Sequence, residues 1–323
     1  MYENKKAGMP DVSVVIPTYN RLSFLKKAIT SCFEGNDAIS VEVIVVDDGS
    51  TDETRKYLES IETKQVKPIF QESQGAQVAR NKGKEAASGR FVKFLDDDDW
   101  LASGVLEQEV CLLKKSGADF SYGDFCIQEV NSEWVYQQRI EYDVPSAIFK
   151  EIMWTPPFSF LYKRELVQSI KWDEHLPYHQ DYAFALEIAC IAGTPIHVET
   201  VVGVIRRHRE ARINDLKSAT PRPEYYRTKV DLIKQSVLSL KERGVIEPHH
   251  RQAAAEGIWN WAHIVAGYDL DTFRQFYDDI EAIAPGFHPE RARSWMAMLD
   301  TIVGAKGTEH LLYPVRRMKH LLK

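Results

Sequence analysis

Four consecutive aspartates, Asp96 to Asp99, are the residues of this chain with the clearest chemical potential. Adjacent carboxylates repel one another, so a folded protein keeps such a run where a cation or solvent offsets the charge. A solvated loop is the usual explanation of an acidic run. Here the run follows the apolar segment Phe91–Leu95 directly, and Trp100 comes at once after it. This context favours a site for Mg²⁺ or Mn²⁺, which take oxygen ligands and keep phosphate oxygens in their shell.

The elements that must position this run are strands that alternate with helices. Apolar segments predict strands over Val12–Thr18 and Val41–Val46, which are largely β-branched, and over Val66–Phe70, where the pattern is weak, and Phe91–Leu95. Helical spacing between them predicts a mostly parallel α/β sheet flanked by helices. The carboxyl ends of parallel strands open on one edge, so Tyr19, Asp48 and the aspartate run are expected to converge there.

The loops that leave these strands carry groups suited to a nucleotide. An aromatic ring stacks on a base, an isolated carboxylate accepts an imide N–H, and clustered carboxylates hold a metal-bound diphosphate. Neither a P-loop nor a Gly-x-Gly-x-x-Gly follows the first strand, so metal must neutralise the phosphates. Asn20 or Ser23 is expected to cap the first helix, and Ser50 with Glu53 to form a capping box.

Composition narrows the class of protein. The 323 residues, 44% hydrophobic and 27% charged, are ordinary for a soluble chain of one large or two modest domains. The net charge of −6 argues against nucleic acid as a partner. Four dispersed cysteines favour a reducing cytoplasm. We expect no signal peptide and no membrane span, because the start is polar and no apolar run reaches ~20 residues.

Four ordered blocks of the sequence resemble family 2 of the inverting glycosyltransferases, whose nucleotide-sugar-binding fold is called GT-A. They are Val-Val-Ile-Pro-Thr-Tyr-Asn-Arg (14–21), Val-Ile-Val-Val-Asp-Asp-Gly-Ser-Thr-Asp (43–52), Gly-Ala-Gln-Val-Ala-Arg-Asn-Lys-Gly (75–83) and Gly-Arg-Phe-Val-Lys-Phe-Leu-Asp-Asp-Asp-Asp (89–99). The resemblance implies a Rossmann-like GT-A domain, assigned to residues 1–215. Residues 216–323 show helical apolar spacing and are predicted to form a helical C-terminal region.

The resemblance assigns roles to the loop after the first strand and to the loop after the second. Asp48 would accept the N3–H of a base, which favours a uracil or thymine nucleotide. Tyr19 would lie against that base, and Pro17 and Asn20 would belong to the same nucleotide-binding loop.

The resemblance also divides the aspartate run. Asp96 and Asp98 would form the Asp-x-Asp motif of the family, with Asp98 as the most direct ligand of Mn²⁺ or Mg²⁺. Asp97 and Asp99 would reach the ribose or the donor sugar. Arg80 would either serve the diphosphate or pair with a neighbouring carboxylate.

Two further positions match the family's catalytic region. Asp181 opens a predicted helix and would be the catalytic base, although Gln180 stands where relatives commonly have Glu. A helix cap is the alternative role for Asp181. Arg206 and His208 match an Arg-x-His pattern, which would place His208 at the metal or the diphosphate.

The remaining segments bear on the acceptor. The aromatic segment Trp154–Tyr162 is either a wall that contacts acceptor sugars or part of the core. The tail Leu311–Lys323 is predicted to be an amphipathic basic helix, for an anionic membrane surface or for docking on the protein.

The sequence therefore predicts an inverting transferase that moves a sugar from a UDP- or dTDP-sugar to a glycan or lipid-linked acceptor. Surface polysaccharide synthesis in the cytoplasm, at or near the membrane, is the setting that the resemblance implies. Two alternatives stay open: a sugar-1-phosphate nucleotidylyltransferase and a catalytically silent module of a glycan-assembly complex.

Overall fold

The structure, a computed structural model, describes residues 8–129, 132–138, 140, 142–207, 223–290 and 294–321. The chain divides into two compact units, Met1–Gln138 with Trp154–Ala211 and Arg139–Met153 with Arg212–Lys323. They are called here the α/β unit and the helical unit. The predicted boundary between residues 215 and 216 lies outside the described residues and stays a prediction. The grouping of Arg139–Met153 with the helical unit is not among the sequence predictions.

The α/β unit combines one sheet with helices on its faces. Its strands are β1 Val12–Thr18, β2 Val41–Asp47, β3 Val66–Phe70, β4 Phe91–Phe94, β5 Trp100–Leu101, β6 Phe120–Gln128, β7 Glu133–Tyr136, β8 Phe160–Lys163 and β9 Pro195–Arg206. Its helices are α1 Leu22–Ser31, α2 Thr54–Ser60, α3 Ala76–Ala86, α4 Val105–Ser116, α6 Arg164–Gln168 and α7 Gln180–Ile191, and a 3₁₀ turn spans Pro157–Ser159.

The sheet has a parallel half and a mixed half. Its strand order is β3-β2-β1-β4-β8-β6-β9-β5, with β7 paired to β6. The first four strands of this order are parallel, as the sequence predicts. Beyond β4 the pairs β4–β8, β6–β8, β6–β7 and β5–β9 are antiparallel, while β6–β9 is parallel. The predicted α/β sheet flanked by helices is confirmed, and the antiparallel pairs refine the expectation that it is mostly parallel.

The parallel half is the buried centre of the unit. Every residue of β1 and β2 is buried, which suits strands covered by helices on both faces. Helix α3 packs so closely on this sheet that a Cβ at Gly83 would collide with the side chain of Val15. Glycine at this position therefore lets α3, which carries Arg80, lie directly on the strands.

Both predicted helix caps are wrong. No side-chain hydrogen bond caps α1, which begins after Arg21, and Asp52 rather than Ser50 accepts from the N–H of Thr54 at the start of α2. Asn20 and Ser50 instead join the two loops, because the N–H of Asn20 donates to Ser50 Oγ at 2.9 Å. A long-range contact between loops has displaced the local capping pattern.

The helical unit consists of α5 Val144–Phe149, α8 Pro223–Glu242, α9 Pro248–Val265, α10 Leu270–Ile283 and α11 Ser294–Leu321. Asp143 caps α5 by accepting from the N–H of Ser146 at 2.8 Å, and its other oxygen meets His249 and His250 at 2.8 and 2.5 Å. These contacts fix α5 to the start of α9.

The predicted basic tail lies in α11 as far as Leu321. Leu311 is exposed, and Arg316 forms an ion pair with buried Glu309 at 2.6 Å. Contact of this helix with a membrane stays a prediction. Among the helices that the structure describes, none is both long and apolar enough to span a membrane.

Candidate active site

The exit loops of β1, β2 and β4 meet at the carboxyl edge of the parallel half. The N–H of Asp48 donates to Thr18 O at 2.9 Å, and the N–H of Leu95 donates to Val15 O at 3.0 Å. The hydroxyl of Thr18 donates to Asp97 at 2.7 Å. The convergence that the strand pattern predicts is therefore present, and Thr18 links the three loops by its hydrogen bonds to Asp48 and Asp97.

Three of the four aspartates turn their carboxylates toward one point. One oxygen each from Asp96, Asp98 and Asp99 lies within 4.8 Å of the others. Oxygens that share one Mg²⁺ or Mn²⁺ at about 2.0–2.2 Å can lie no further apart than about 4.4 Å, so a small adjustment would let them share an ion. Their hard oxygen ligands also suit such a cation, and the donor set fits it.

Each of these carboxylates already has a donor from another part of the unit. Arg80 Nη2 lies 2.6 Å from Asp96, Arg21 Nη1 lies 2.8 Å from Asp98, and the N–H of Arg206 donates to Asp99 at 3.0 Å. Two guanidinium groups, one from α3 and one at the start of α1, thus offset the charge of the run, and a backbone N–H at the end of β9 adds a hydrogen bond. This offset explains how a folded chain tolerates it.

Asp97 is set apart from this cluster. Its carboxylate faces the hydroxyl of Thr18 and lies 3.5 Å from Arg21 Nη1. Burial raises the pKa of Asp97 to about 7, against the hydrogen bond from Thr18 and the charge of Arg21. Its predicted contact with the ribose or the donor sugar stays a prediction.

Asp48 is buried and fully engaged by the loop after β3. One oxygen accepts from the amide of Gln71 at 2.7 Å and from the N–H of Gln74 at 2.8 Å. The other accepts from the hydroxyl of Ser73 at 3.2 Å and from the N–H of Gly75 at 2.9 Å. Because a carboxylate has about four acceptor positions, a base N–H would have to replace one of these donors.

The loop after β1 presents one exposed ring. Tyr19 is 48% exposed, whereas Pro17 is buried as the sixth residue of β1. Asn20 adopts a left-handed conformation with φ 54°, and its side-chain oxygen accepts from the N–H of Thr51 at 2.7 Å. Its amide oxygen thus holds the neighbouring loop together, and nucleotide contact by Pro17, Tyr19 and Asn20 stays a prediction.

Asp181 lies in the first turn of α7, close to Arg80. Its side chain is one-third exposed, yet Oδ1 is buried, accepts no hydrogen bond from the residues that the structure describes and lies 3.8 Å from Arg80 Nη2. Burial raises the pKa of Asp181 to about 7; Arg80 lowers it and Asp96 raises it. Gln180, which replaces the usual Glu, donates to Leu176 O at 3.2 Å and so holds the loop before the helix.

The structure gives different outcomes for the remaining residues that the sequence singled out. His208 lies outside the described residues, so its metal role stays a prediction. Within the aromatic segment, Phe158, Phe160 and Tyr162 are buried in the core, whereas Trp154 is 40% exposed and stacks on Tyr136 at 5.0 Å.

The sequence reasoning assigned no role to Thr18, Arg21 or Trp172. It also did not place Asp99 in the carboxylate cluster. Thr18 and Arg21 stand inside the matched block 14–21, so the motif itself was the available signal.

The α/β fold, with acidic residues at the carboxyl edge of its parallel strands, is a GT-A fold. The structure is similar to that of S. aureus TarS 1–349 solved in complex with UDP-GlcNAc, with a TM-score of 0.69 over 96% of this chain and 92% of that chain. The two sequences are 19% identical, so this similarity supports the fold.

Sequence comparison gives the family. The model described as Glycosyl transferase family 2 matches residues 13–175, just over half of the 323 residues. The chain belongs to this family, and it is a glycosyltransferase.

Two curated relatives carry specific names. The chain is 31% identical over 176 residues to the GalNAc(5)-diNAcBac-PP-undecaprenol beta-1,3-glucosyltransferase of Campylobacter jejuni, covering 51% of this chain and 56% of that protein. It is 34% identical over 136 residues to the UDP-Glc:alpha-D-GlcNAc-diphosphoundecaprenol beta-1,3-glucosyltransferase WfgD of Escherichia coli, covering 41% and 53%. The chain spans about half the length of these two relatives.

Proposed function

We propose that this chain is a metal-dependent, inverting glycosyltransferase that moves a sugar from a UDP-sugar to a hydroxyl of a glycan or lipid-linked acceptor; dTDP-sugars are the second choice of donor. The observation that carries the proposal is the convergence of Asp96, Asp98 and Asp99 beside Arg80 and Asp181 at one sheet edge. Metal ligands, a cation and a base are the groups that this transfer requires.

Asp96, Asp98 and Asp99 would hold Mg²⁺ or Mn²⁺. A cation bound there offsets the charge that develops on the departing diphosphate. Arg80 adds a fixed positive charge from α3 on the same side of the cluster.

Asp181 is the proposed base. Its side chain is one-third exposed, so an acceptor hydroxyl can reach the carboxylate. The hydroxyl oxygen attacks C1 of the donor sugar as its proton passes to Asp181, and the bond from C1 to the diphosphate oxygen breaks. Attack from the face opposite the leaving group inverts C1. A pKa of about 7 suits this task, because the carboxylate is ionised yet basic near neutral pH.

The donor nucleoside is proposed to lie between Tyr19 and Asp48. Gln71 Oε1 is buried without a hydrogen-bond partner among the described residues, while the amide nitrogen of Gln71 donates to Asp48. A uracil N3–H that takes the place of this amide donor keeps Asp48 fully hydrogen-bonded. The amide of Gln71 is then free to pair with a carbonyl of the base.

The acceptor class follows from the relatives. Two of them are named for acceptors linked to undecaprenol through a diphosphate. We extend this class to the present chain and place it in surface polysaccharide synthesis, at the cytoplasmic face of a membrane. Contact through the basic part of α11 belongs to the same proposal.

The test is calorimetric titration of the full chain with UDP, dTDP, GDP and ADP, each with and without Mn²⁺. We expect UDP or dTDP to bind, and to bind much more weakly without Mn²⁺. Asp98→Asn should weaken this binding strongly, whereas Asp37→Asn, which changes an exposed aspartate elsewhere, should leave it unchanged.

Binding of GDP or ADP in preference to UDP and dTDP would contradict the donor assignment. Binding that is independent of Mn²⁺ and unchanged by Asp98→Asn would show that the aspartates hold no diphosphate-linked cation. Absence of binding by all four nucleotides would favour a silent module.

A further inference from the structure

Trp172, in the loop between α6 and α7, lies at the centre of a buried aromatic cluster beneath the proposed site. Its indole is 2% exposed. It stacks on Phe184 of α7 with ring centres 4.2 Å apart and planes 5° apart. It also meets the edge of Phe94 of β4 at 5.1 Å, and Phe94 meets Phe184 at 5.3 Å. Trp172 thus contacts the strand that precedes the aspartate run and the helix that carries Asp181.

Helix α3 holds the same residue by its backbone and its ring. The N–H of Trp172 donates to Asn81 Oδ1 at 2.9 Å, and Asn81 Nδ2 donates back to Trp172 O at 2.9 Å. The next residue toward the helix start, Arg80, places its guanidinium carbon 4.5 Å from the centre of the indole. Two adjacent residues of α3 therefore hold Trp172 in place.

This arrangement defines the position of Arg80. Its Nη2 is bonded to Asp96 at 2.6 Å and lies 3.8 Å from Asp181. Its Nε and Nη1 are buried and have no hydrogen-bond partner in the described part of the chain. Buried donors are rarely left unpaired, so these N–H groups indicate that an acceptor belongs beside them. An aromatic face can hold a guanidinium without using its in-plane N–H groups.

We propose that Trp172 is a positioning residue that holds Arg80 in the orientation in which it serves the diphosphate of the donor. The inference rests on the proposed function. An aliphatic side chain of similar length would leave Arg80 without this planar support, and the guanidinium could turn away from the site to find other partners. The indole therefore acts on the donor site through Arg80 and does not itself contact the donor.

A double-mutant cycle on the affinity for UDP in the presence of Mn²⁺ tests this inference. The variants are Trp172→Phe, Arg80→Lys and the two together. Trp172→Phe keeps a flat ring to stack on Phe184, and the Asn81 contacts are to backbone atoms of residue 172, so the fold is expected to persist. The matched control is Trp259→Phe, which changes a buried tryptophan of the helical unit.

We expect Trp172→Phe to weaken UDP binding about 3- to 10-fold, because the smaller phenyl ring is a poorer partner for the guanidinium than the indole. In the Arg80→Lys background the same change should alter affinity less than about twofold, because its effect passes through the guanidinium. Trp172→Leu should bind UDP more weakly than Trp172→Phe does, and the control variant should bind UDP with the affinity of the unaltered chain. The titrations also give the stoichiometry, which reports the folded fraction.

Three outcomes would count against the inference. Equal losses from Trp172→Phe in both backgrounds would show that the ring acts without Arg80. A fall in stoichiometry with unchanged affinity per site would show a role in folding alone. Unchanged affinity in both Trp172 variants would overturn the inference directly. Failure of the unaltered chain to bind UDP would instead overturn the proposed function, so the two failures are distinguishable.

Discussion

The rate of sugar transfer should fall on the acid side of about pH 7. Asp181 can take the acceptor's proton only as a carboxylate. Burial raises its pKa to about 7, Asp96 acts in the same direction and Arg80 acts against both. Protonation below this pKa removes the base, so the rate should fall about tenfold per pH unit there and level off above it.

Arg80→Gln should move this acid limb upward. Arg80 Nη2 lies 3.8 Å from Asp181 Oδ1. Unit charges at that distance interact by ~1 kcal/mol at the dielectric constant of water and by ~4 kcal/mol at an effective value near 20. Because a third of the Asp181 side chain is exposed, solvent screening favours the lower figure. Since 1.36 kcal/mol corresponds to one pKa unit, loss of the charge should raise the midpoint by about one pH unit.

The assay is release of UDP from the sugar nucleotide that the chain turns over fastest, at saturating Mn²⁺, over about pH 5 to 9. Arg80→Lys keeps the charge and should shift the midpoint less than Arg80→Gln does. Asp97→Asn is the decisive control, because burial also raises the pKa of Asp97 to about 7. If Asp181 is the titrating group, this variant keeps the acid limb, whereas Asp181→Asn abolishes turnover.

Three results would refute this reasoning. One is a rate that stays constant down to about pH 5, which would place the base's pKa near its ordinary value. Another is loss of the acid limb in Asp97→Asn. The last is a midpoint that moves downward in Arg80→Gln, which has the wrong sign for removal of a positive charge.

Three further predictions concern a loop of the site, a buried ion pair and a helix cap. Asn20→Ala should weaken UDP binding about tenfold, because alanine tolerates φ 54° poorly and cannot accept the hydrogen bond from Thr51. Asn20→Asp keeps an acceptor, so its affinity for UDP should stay within a fewfold of that of the unaltered chain. Equal affinities of the two variants in calorimetry would contradict this prediction. Lys93→Met should destabilise the chain by about 3–5 kcal/mol in urea unfolding, because it leaves fully buried Glu109 without its ion-pair partner. Adding Glu109→Leu should restore most of the lost stability. No recovery in the double variant would refute the pairing argument. Asp143→Ala should lower the free energy of unfolding by about 1–2 kcal/mol, because α5 loses its cap, and Asp143→Asn should lower it less. If thermal unfolding shows that Asp143→Asn is the less stable variant, the contacts with the histidines matter more than the cap.

The parallel half of the sheet was predictable from local sequence. The observed bounds of β1 and β3, Val12–Thr18 and Val66–Phe70, are those that the apolar pattern predicts. Strand β1 is buried and largely β-branched, so its pattern reports the core directly, whereas β3 is mostly half-buried. The helix that Asp181 was predicted to open is also present, as Gln180–Ile191. Once four parallel strands are assigned, the meeting of their exit loops follows from topology.

The mixed half was less predictable, because its pairing depends on contacts between distant segments. Strand β8 runs antiparallel to both β4 and β6, and short strands such as β5 carry too little pattern to assign. The caps failed for a related reason. A Ser-x-x-Glu pattern predicts a capping box only when no better partner lies nearby, and Ser50 has one in Asn20.

The partners of the site residues show most clearly where sequence reasoning ends. A motif identifies Asp98 and Arg80 as chemically important, but it does not say that Arg21 meets Asp98 or that the indole of Trp172 lies under Arg80. Trp172 and Asn81 are 91 residues apart. Their contact arises because α3 and the loop before α7 pack together on the sheet. Residue types thus indicated the chemistry, whereas the orientation of each charged group depends on packing that no local pattern encodes. Such supporting residues are where a transferase can retain its catalytic groups and still lose its donor affinity.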